Sequence, residues 1–355
     1  MKLEVISNLE RLRDIGDAWS SLTVSKPYPV LHHSWVLSVA EAYQDISTLQ
    51  VLAVWDGPQL VAVAPLSKIR QGPVSELRSL AYWIGEPDAL IFLNQAALDF
   101  LVDAIFQTGI AFRFSHLTLD GAELQALKAR RKRGLLFERA GCGHAVELPP
   151  TAAAFEEMLS KSSSTFLRRK MNRAAKFGRV EFSTETLDAE NSDAFLEEFV
   201  RIEGSGWKGR NGTSLSRNVQ LKRFFATYLN RMAPSGDLRG DRMKIDGATI
   251  AMRLGLRSQG RLYELKIGFD EAFQACSPGL VLTHETLKAS IREGLTRHEF
   301  LGVGEEWQRH WPLRRQEDVT VRYYPLTMKG AYSLFRDFLN EGLKRLRRLF
   351  LSRKR

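Results

Sequence analysis

Apolar residues recur at two different spacings along this chain, and the spacing changes several times. The segment LQVLAVWDGPQLVAVAPLSKI predicts two strands joined around Asp56-Gly57, and DRMKIDGATIAMRLGLRS predicts two strands joined around Asp246-Gly247. Each hairpin follows a mostly helical, aromatic-rich stretch, LHHSWVLSVAEAY in the first case and DAFLEEFVRIEGSGWKG in the second. This repeated order predicts an α/β fold in which one unit is used twice.

A domain boundary is predicted within VELPPTAAAF, where Pro149-Pro150 ends a strand-like segment before a new helix. We therefore expect a first domain over residues 1–150 and a second domain over residues 151–330. Residues 331–355 are expected to form a separate basic, amphipathic helix at the C-terminus.

Residues 262–307 carry the pattern most typical of a ligand site. A predicted strand from Tyr263 to Phe269 is followed by a loop at Ser277–Gly279 and by a helix through Gly294. A second strand then ends in Gly302, Gly304 and two glutamates. A helix start leaves backbone N–H groups without partners and favours an anion such as a phosphate. These residues alone are equally compatible with an ordinary βαβ unit.

Composition indicates a globular chain of about two domains, because 44% of its 355 residues are hydrophobic and 26% are charged. No apolar run reaches the roughly 18 residues that a membrane-spanning helix needs, and the start MKLEVISNLERLRD lacks the apolar stretch of a signal peptide. Cys142 and Cys276 form no disulfide framework and have no zinc-ligand spacing. We expect a cytoplasmic protein without a metal.

The net charge of +10 is concentrated in two acid-free runs, at residues 161–179 and 344–355. The first is expected to form a helix beginning near Ser164, with an anionic substrate or a coenzyme phosphate as its partner. A solvated helix face is the alternative, and general nucleic-acid binding is not expected. The second run follows an apolar stripe that includes Leu339 and Leu343. It predicts either contact with an anionic membrane surface or a terminal helix docked on the body with a solvated basic face.

Three segments resemble a known family: GWKGRNGTSL, FLRRKMNRAAKFG and YELKIGFDEAFQACSPGLVLTHETLKASIREGLTRHEFLGVGEEWQRHW. They are similar to the GNAT-type acetyltransferases of the CelD (cellulose biosynthesis) and BioF2-like group, which are distant relatives of the peptidoglycan FemAB transferases. The resemblance covers most of residues 20–325 and is closest over 160–312. It implies tandem GNAT-like units, with mixed, mostly antiparallel sheets flanked by helices.

The resemblance also implies a place for acetyl-CoA or another acyl-CoA. In GNAT folds the coenzyme lies where one strand separates from its neighbour, and its pyrophosphate meets the next helix start. The corresponding cofactor-binding residues here are Phe269, Ser277, Gly279 and Leu280. The sequence has QACSPG where the family has Q/R-x-x-G-x-G/A, and Pro278 offers no N–H. The donor is therefore CoA or another activated acyl group, unless this copy binds none.

Amine acylation needs a base for the attacking nitrogen and a group that polarises the carbonyl. Glu305, beside Glu306, is the favoured base, and Asp270 is the second candidate. Tyr263 or Lys266 is expected to polarise the carbonyl or bind the acceptor. Each has a structural alternative: loop acids for the glutamates, a wall residue for Tyr263, and half of an ion pair for Lys266.

Acceptor binding is predicted in the Gly-rich segment GSGWKGRNG, where a lid would carry Trp207, Lys208 and Arg210. Trp311 and Arg309 are expected to face this lid, although a buried structural role is the alternative for a tryptophan. In the first copy, Gly85, Pro87 and Asp88 are expected to shape part of the acceptor cleft.

The sequence thus predicts an N-acyltransferase that moves an acyl group from acyl-CoA to an amine acceptor in polysaccharide or cell-envelope biosynthesis. The first copy is expected to be mainly structural. One alternative is a FemAB-like transferase that uses aminoacyl-tRNA, with the basic helix at residues 161–179 holding the RNA. The other is a non-catalytic module with a transferase fold beside the membrane.

Overall fold

The structure, a computed structural model, describes residues 1–130, 132–205, 215–302 and 304–352. Side chains are described over the same residues except residue 142 and residues 344–352. Over the described residues, no helix is both long and apolar enough to cross a membrane.

The first half of the chain alternates helices and strands. Its helices are α1 (Leu9–Asp14), α2 (Gly16–Thr23), α3 (His33–Tyr43), α4 (Gln95–Gln107) and α5 (Ala122–Ala129). Its strands are β1 (Lys2–Ile6), β2 (Thr48–Leu49), β3 (Val51–Asp56), β4 (Gln59–Ala64), β5 (Leu66–Gln71), β6 (Val74–Ser79), β7 (Ile91–Phe92), β8 (Ala111–Thr118) and β9 (Leu135–Glu147).

The second half follows the same plan with longer strands. Its helices are α6 (Ala152–Met158), α7 (Lys161–Ala174), α8 (Ser192–Gly204), α9 (Val219–Met232), α10 (Pro278–Arg292) and α11 (Met328–Ser352). Its strands are β10 (Val180–Thr186), β11 (Leu238–Ile245), β12 (Ala248–Ser258), β13 (Arg261–Phe269), β14 (Arg297–Phe300) and β15 (Leu313–Tyr323).

Each half contains one parallel strand pair connected through a helix, and this confirms the predicted repeat. In the first half β6 pairs in parallel with β8, and α4 lies between them in sequence. In the second half β13 pairs in parallel with β14, and α10 lies between them. Antiparallel strands precede the parallel pair in both halves. The first half is interrupted at Pro65, which lacks an N–H and separates β4 in a four-stranded sheet from β5 in an eleven-stranded one.

Each half contributes one long strand that pairs with strands of the other half, and these two long strands also pair with each other. Strands β9 and β15 pair antiparallel over most of their lengths, from Leu135↔Tyr323 to Val146↔Leu313. One end of β9 also pairs with β14 of the second half, while β15 pairs with β8 of the first half. The central order of the large sheet is therefore β13-β14-β9-β15-β8-β6, and the two parallel pairs face each other across the β9–β15 ladder.

Helix packing joins the halves a second time. The Trp35 ring of α3 meets Phe224 and Tyr228 of α9 edge-on, with ring centroids 4.8 and 5.0 Å apart. These side chains lie in the largest apolar core, which contains residues from both halves. At its edge Arg231 pairs with Glu41 at 2.6 Å. The halves therefore share one core rather than meeting at a wet surface.

Both predicted Asp-Gly hairpins are confirmed. Strands β3 and β4 turn at Gly57, and β11 and β12 turn at Asp246-Gly247, where both residues have a positive φ as a two-residue hairpin requires. The basic helix begins earlier than predicted, because Ser160 rather than Ser164 caps it by accepting from the Ser163 N–H. Strand β9 ends shortly before the proposed boundary at residue 150, which stays a prediction.

A buried ionic cluster fastens α10 to the sheet. Arg253 on β12 is fully buried, pairs with Glu264 at 3.1 Å and donates to the Thr283 hydroxyl of α10. His298 on β14 approaches the same Glu264 carboxylate at 3.4 Å, and burial lowers the pKa of this histidine. Because Arg253 is the cation that ties Glu264 to α10, it fixes the start of that helix relative to β13.

We expect Arg253→Met to lower the free energy of unfolding by about 3–5 kcal/mol, since it leaves the Glu264 carboxylate without its arginine. Arg257→Gln, on the same strand, removes a partly exposed pair with Glu293 and should cost about 1 kcal/mol or less. Urea unfolding with matched slopes measures both values. Equal losses in the two variants would contradict this role of Arg253.

Candidate functional site

Strands β13 and β14 separate from each other partway along their length. Their pairing ends at Glu264↔Phe300, and β13 continues to Phe269 after β14 has stopped. A β-bulge lies at the same point, since Leu254↔Lys266 and Gly255↔Glu264 leave Leu265 of β13 without a partner on β12. A bulge bends the strand and ends regular pairing. The result is a gap beside β13, as the sequence predicted.

The loop after β13 brings the predicted donor residues together. Asp270 caps a 3₁₀ turn over Glu271–Cys276 by accepting from the Ala272 N–H at 3.0 Å. Ser277 follows in the left-handed region, with φ of 51°, and α10 then begins at Pro278. Phe269 packs on the helix start, because a Cβ added to Gly279 would lie 3.3 Å from its ring.

The start of α10 presents fewer free donors than an average helix. Pro278 has no N–H, and the N–H groups of Leu280 and Val281 already donate to the Ser277 carbonyl at 3.0 and 3.2 Å. Gly279 is the one remaining N–H of this first turn for which the described residues show no partner. The structure therefore supports the expected loss of anion-binding capacity at Pro278.

Cations from α7 compensate for this loss. Lys170 donates to the Ala275 carbonyl at 3.2 Å, immediately before the helix start. Burial raises the pKa of the Cys276 thiol, and the nearby charges of Lys170 and Arg173 oppose that rise. Both cations therefore lie beside the loop, and Arg173 is exposed to solvent. One free N–H and two cations fit a phosphate group at this helix start.

A cavity of about 420 Å³ lies at the junction of the two halves. The wall contains residues of five neighbouring strands of the large sheet and of loops in the first half; the strands are β13, β14, β9, β15 and β8. The residues with ionisable side chains in the wall are Tyr28, Asp88, His116, Glu123, His144, Arg261, Tyr263, Arg297, Glu299, Arg314 and Asp318. Its volume suits a small molecule or one segment of a larger acceptor.

Glu86 lies behind the cavity wall and next to the gap beside β13. Its carboxylate accepts from the Gly302 N–H at 2.8 Å, just beyond the end of β14. Burial raises the pKa of Glu86 from its ordinary value of 4.5 to about 7, although the Gly302 N–H and the charge of Lys266 both lower it. A loop of the first half thus places a carboxylate with a near-neutral pKa against the end of β14 in the second half.

Asp88 follows two residues later and lines the cavity itself. It is 4% exposed and accepts from the Ser115 N–H at 2.6 Å. Burial raises the pKa of Asp88 to about 6, and hydrogen bonds from Ser115 and Ser79 moderate the rise. Two acids of one short loop therefore hold their protons more tightly than ordinary carboxylates.

Two tyrosines meet at the same wall. The rings of Tyr28 and Tyr263 lie 6.1 Å apart between centroids. Burial raises the pKa of Tyr28 well above 10, and the charges of Glu86 and Glu299 raise it further. The pKa of Tyr263 is also raised, first by burial and then by Glu299. Both phenols therefore keep their protons at neutral pH and act as hydrogen-bond donors.

The glycines at the end of the motif have distinct structural roles. Gly302 has a positive φ and gives its N–H to Glu86. A Cβ on Gly304 would lie 2.3 Å from the ring of His144, so only glycine lets this histidine occupy the cavity wall. Gln308 holds the other side of the ring, with 2.5 Å between His144 Nδ1 and the amide oxygen.

The favoured base, Glu305, begins the 3₁₀ turn that carries Gln308. It is exposed, forms a capping box with Gln308 and accepts from the Trp307 indole at 2.6 Å. It therefore shapes the turn that supports His144, and its proposed catalytic role stays a prediction. Asp270 likewise caps its loop, and its catalytic role stays a prediction as well.

Of the two residues predicted to polarise the carbonyl, Tyr263 lies in the cavity wall and Lys266 lies outside it. Tyr263 lines the cavity, and Lys266 is close enough to affect Glu86. Lys266 also pairs with Glu203 at 3.0 Å, as the structural alternative for this residue anticipated. The Lys266 ammonium group therefore forms an ion pair with Glu203 and also lowers the pKa of Glu86.

Only some of the residues predicted to bind the acceptor lie at the cavity. Trp311 is buried and packs against Phe300, which itself lines the cavity. Arg309 is exposed and pairs with Glu306 on its own turn. Pro87 and Asp88 line the cavity, as expected of the first copy. Trp207, Lys208 and Arg210 lie outside the described residues.

Sequence reasoning missed Glu86, Tyr28 and His144. The first two come from loops of the copy that was expected to be structural, and no spacing connects them to the second half. The sequence indicated His144 only indirectly. Glu305 and Gln308 have the three-residue spacing of a capping box, and the turn that they form carries the Gln308 side chain that contacts His144. Within the described ranges, no group of three or more His, Cys, Asp or Glu side chains could hold a metal ion.

Comparisons with known proteins agree with this geometry. Residues 161–309 match the family model of the acetyltransferase (GNAT) domain. The crystal structure of FemX is similar with a TM-score of 0.60 and 13% identity, covering 94% of this chain and 99% of that chain. The structure of L-PGS from Bacillus licheniformis is similar with a TM-score of 0.53 and 11% identity, covering 91% and 94%. No curated protein sequence matches significantly.

These comparisons show the fold and indicate similarity to one class of transferase domain. The match of residues 161–309 to a GNAT-type acetyltransferase domain favours acyl transfer as the chemistry and acyl-CoA as the general class of donor. At 11–13% identity the structural similarities show the fold alone. The predicted α/β fold with mostly antiparallel sheets flanked by helices is confirmed.

The free energy of unfolding should depend on pH because the pKa of Glu86 is raised in the folded state. The folded state holds this proton up to about pH 7 and the unfolded state only to about 4.5, so wild-type stability falls as pH rises between these values. Glu86→Gln removes this loss. We expect the variant to gain roughly 2–3 kcal/mol relative to wild type between pH 5 and pH 8, as measured by guanidinium unfolding. Parallel pH curves for the two proteins would contradict the assignment.

Proposed function

We propose that the protein is an acyltransferase that moves an acyl group from acyl-CoA to an amine held in the cavity between its halves. The observation that carries this proposal is the position of Glu86. Its carboxylate, with a pKa of about 7, accepts from the N–H of Gly302, which lines the cavity, and is close enough to Lys266 of β13 for that charge to lower its pKa. A base with a pKa near the working pH is the most effective at removing a proton during the reaction.

Residues of the second half form the donor side. Bound acyl-CoA would supply an acyl group activated as a thioester. The exposed Arg173, the Gly279 N–H and Lys170 are positioned to neutralise a phosphate at the start of α10. The gap beside β13 provides an extended edge next to this helix start. Donor and acceptor regions thus meet near the bulge at Leu265.

Glu86 is the proposed base for the acceptor amine. The Gly302 N–H orients its carboxylate, and the charge of Lys266 keeps its pKa from rising beyond about 7. Tyr28 and Tyr263 keep their protons and provide hydrogen-bond donors at the same wall. The first copy would then contribute directly to chemistry, whereas the sequence suggested a mainly structural role.

The cavity favours a polar acceptor that carries an amine. Carboxylates at Glu123, Glu299 and Asp318 suit the amine and hydroxyl groups, while Arg261 and Arg314 suit an acidic substituent. An amino sugar or a peptide of an envelope precursor has this chemistry. The narrower resemblance to the CelD and BioF2-like group supports polysaccharide or cell-envelope biosynthesis in the cytoplasm as the setting.

Transfer of an aminoacyl group from tRNA is the second candidate function. The resemblance of the sequence to the FemAB transferases and the exposed cations of α7 favour it. A basic helix beside the donor site would bind the RNA backbone, and such binding would weaken steeply with salt. Filter binding of aminoacyl-tRNA to wild type and to Arg168→Gln/Arg169→Gln distinguishes this candidate from CoA-dependent transfer.

The base assignment predicts a specific loss of rate. We expect Glu86→Gln to lower kcat/KM by about 10²–10⁴-fold, because the amide cannot accept the proton. Acetyl-CoA affinity should stay within about twofold of wild type, since Gln still accepts from Gly302. CoA release with a panel of amino sugars and small amines identifies an acceptor for this assay.

Glu305→Gln is the matched comparison, because Glu305 is the base that the sequence favoured. It should reduce activity far less than Glu86→Gln and should leave the dependence on pH unchanged. The acid side of the wild-type rate profile should follow a group with a pKa of about 7. Full activity of Glu86→Gln, with a large loss in Glu305→Gln, would return the catalytic role to Glu305.

The donor site predicts a charge-specific effect at Gly279. Gly279→Glu should abolish acetyl-CoA binding in calorimetry, since a carboxylate would repel the phosphates. Gly279→Gln has the same length and the same contact with Phe269, and should retain measurable affinity. Equal affinity of the Glu and Gln variants would exclude phosphate binding at this helix start.

A further inference from the structure

Helix α11 docks on the body through its polar side. The Tyr324 hydroxyl donates to Asp337 at 2.8 Å, and Arg336 approaches Glu76 at 3.6 Å. Ser333, on the same side, is 2% exposed. A helix that belongs to a globular core normally buries its apolar stripe and exposes its polar face. In contrast, α11 buries polar residues against the body and exposes its apolar residues.

The outward side of α11 is apolar. Phe335 is 60% exposed and Phe338 is 74% exposed, and Leu334, Leu339 and Leu343 are exposed on the same helix. Together these five side chains form a contiguous surface that we call the outer face. A contiguous exposed apolar surface of this kind marks a contact with a partner or a membrane.

An arginine-lined pocket of about 360 Å³ adjoins the outer face. Three arginines and two acids line it together with Tyr82 and Leu343, and Leu343 also belongs to the outer face; the charged residues are Arg78, Arg113, Arg322, Asp337 and Glu341. The pocket therefore opens at the edge of the apolar surface, where both Tyr82 and Leu343 are exposed. We call it the arginine pocket.

Arg78 pairs with Glu76 at 3.1 Å and Arg322 pairs with Glu138 at 3.2 Å, whereas Arg113 has no ion pair among the described residues. Among the described residues, the buried Nε of Arg113 has no hydrogen-bond partner. Burial lowers the pKa of Arg113, and the charges of Arg78 and Arg322 lower it further, while the charges of Glu76 and Asp337 oppose this. Guanidinium groups crowded in this way favour an added anion, and a phosphate matches their geometry.

The sequence beyond the outer face adds positive charge. Residues 344–355 contain seven lysines and arginines and no acid. An apolar helix surface that is followed by a basic segment and adjoins an anion pocket has the features of a helix lying in an anionic membrane interface. A second copy of the chain would bring the same excess of positive charge to the contact, which disfavours self-association.

We infer that α11 attaches the protein to an anionic phospholipid bilayer, with the outer face inserted among the lipids and a lipid phosphate in the arginine pocket. This attachment needs neither a donor nor an acceptor, so it stands or fails independently of acyl transfer. It would hold the catalytic cavity close to acceptors that are anchored in the membrane.

Flotation of the full-length protein with vesicles tests the inference. Wild type should bind vesicles of phosphatidylcholine with one quarter phosphatidylglycerol, bind pure phosphatidylcholine much less, and lose affinity as salt rises. Phe335→Ser/Phe338→Ser should weaken binding by at least about 30-fold. Phe182→Ser, on the exposed face of β10 at the far edge of the sheet, is the matched control and should bind as wild type does.

Charge variants test the pocket separately. Arg113→Gln should weaken binding to the anionic vesicles by about fivefold. Arg179→Gln removes an exposed cation beside β10 and should have no effect. Unchanged binding in the double phenylalanine variant, or equal effects of Arg113→Gln and Arg179→Gln, would overturn the inference. So would a wild-type dimer that becomes monomeric in the double variant while vesicle binding is unaffected.

Discussion

The β9–β15 ladder is the contact on which the arrangement of this protein depends. Each of these strands follows one unit in sequence and pairs with the parallel strand pair of the other. The exchange fixes the two units in one continuous sheet and brings a loop of the first unit against the end of β14. The ladder and the shared apolar core together hold Glu86 against Gly302.

The two units contribute different parts of the candidate site. The second unit provides the bulged strand, the gap and the helix start, which form the donor side in the proposed function, and residues 161–309 of this unit match the acetyltransferase (GNAT) domain. The first unit provides buried acids and a tyrosine at the junction. In the proposed function, the first copy therefore forms part of the acceptor side of the second copy.

The sequence predicted the parts of the structure that local physics controls. Both Asp-Gly hairpins formed as expected, and so did the β13–α10–β14 unit, because turn chemistry and apolar spacing act within short segments. The sequence could not connect Glu86 with Gly302, because they are 216 residues apart and meet only through strand exchange. For α11 the pattern identified an apolar stripe, but burial of the opposite face depends on partners such as Glu76 and Tyr324.

A crystal structure of the protein with acetyl-CoA tests the central claim most directly. The account predicts the pyrophosphate at the start of α10, beside Gly279 and Arg173, and the thioester in the gap where β13 leaves β14. The acyl carbonyl should then lie on the side of the gap that faces Glu86. Coenzyme bound outside this gap, or a gap filled by side chains when the coenzyme is present at saturating concentration, would contradict the account.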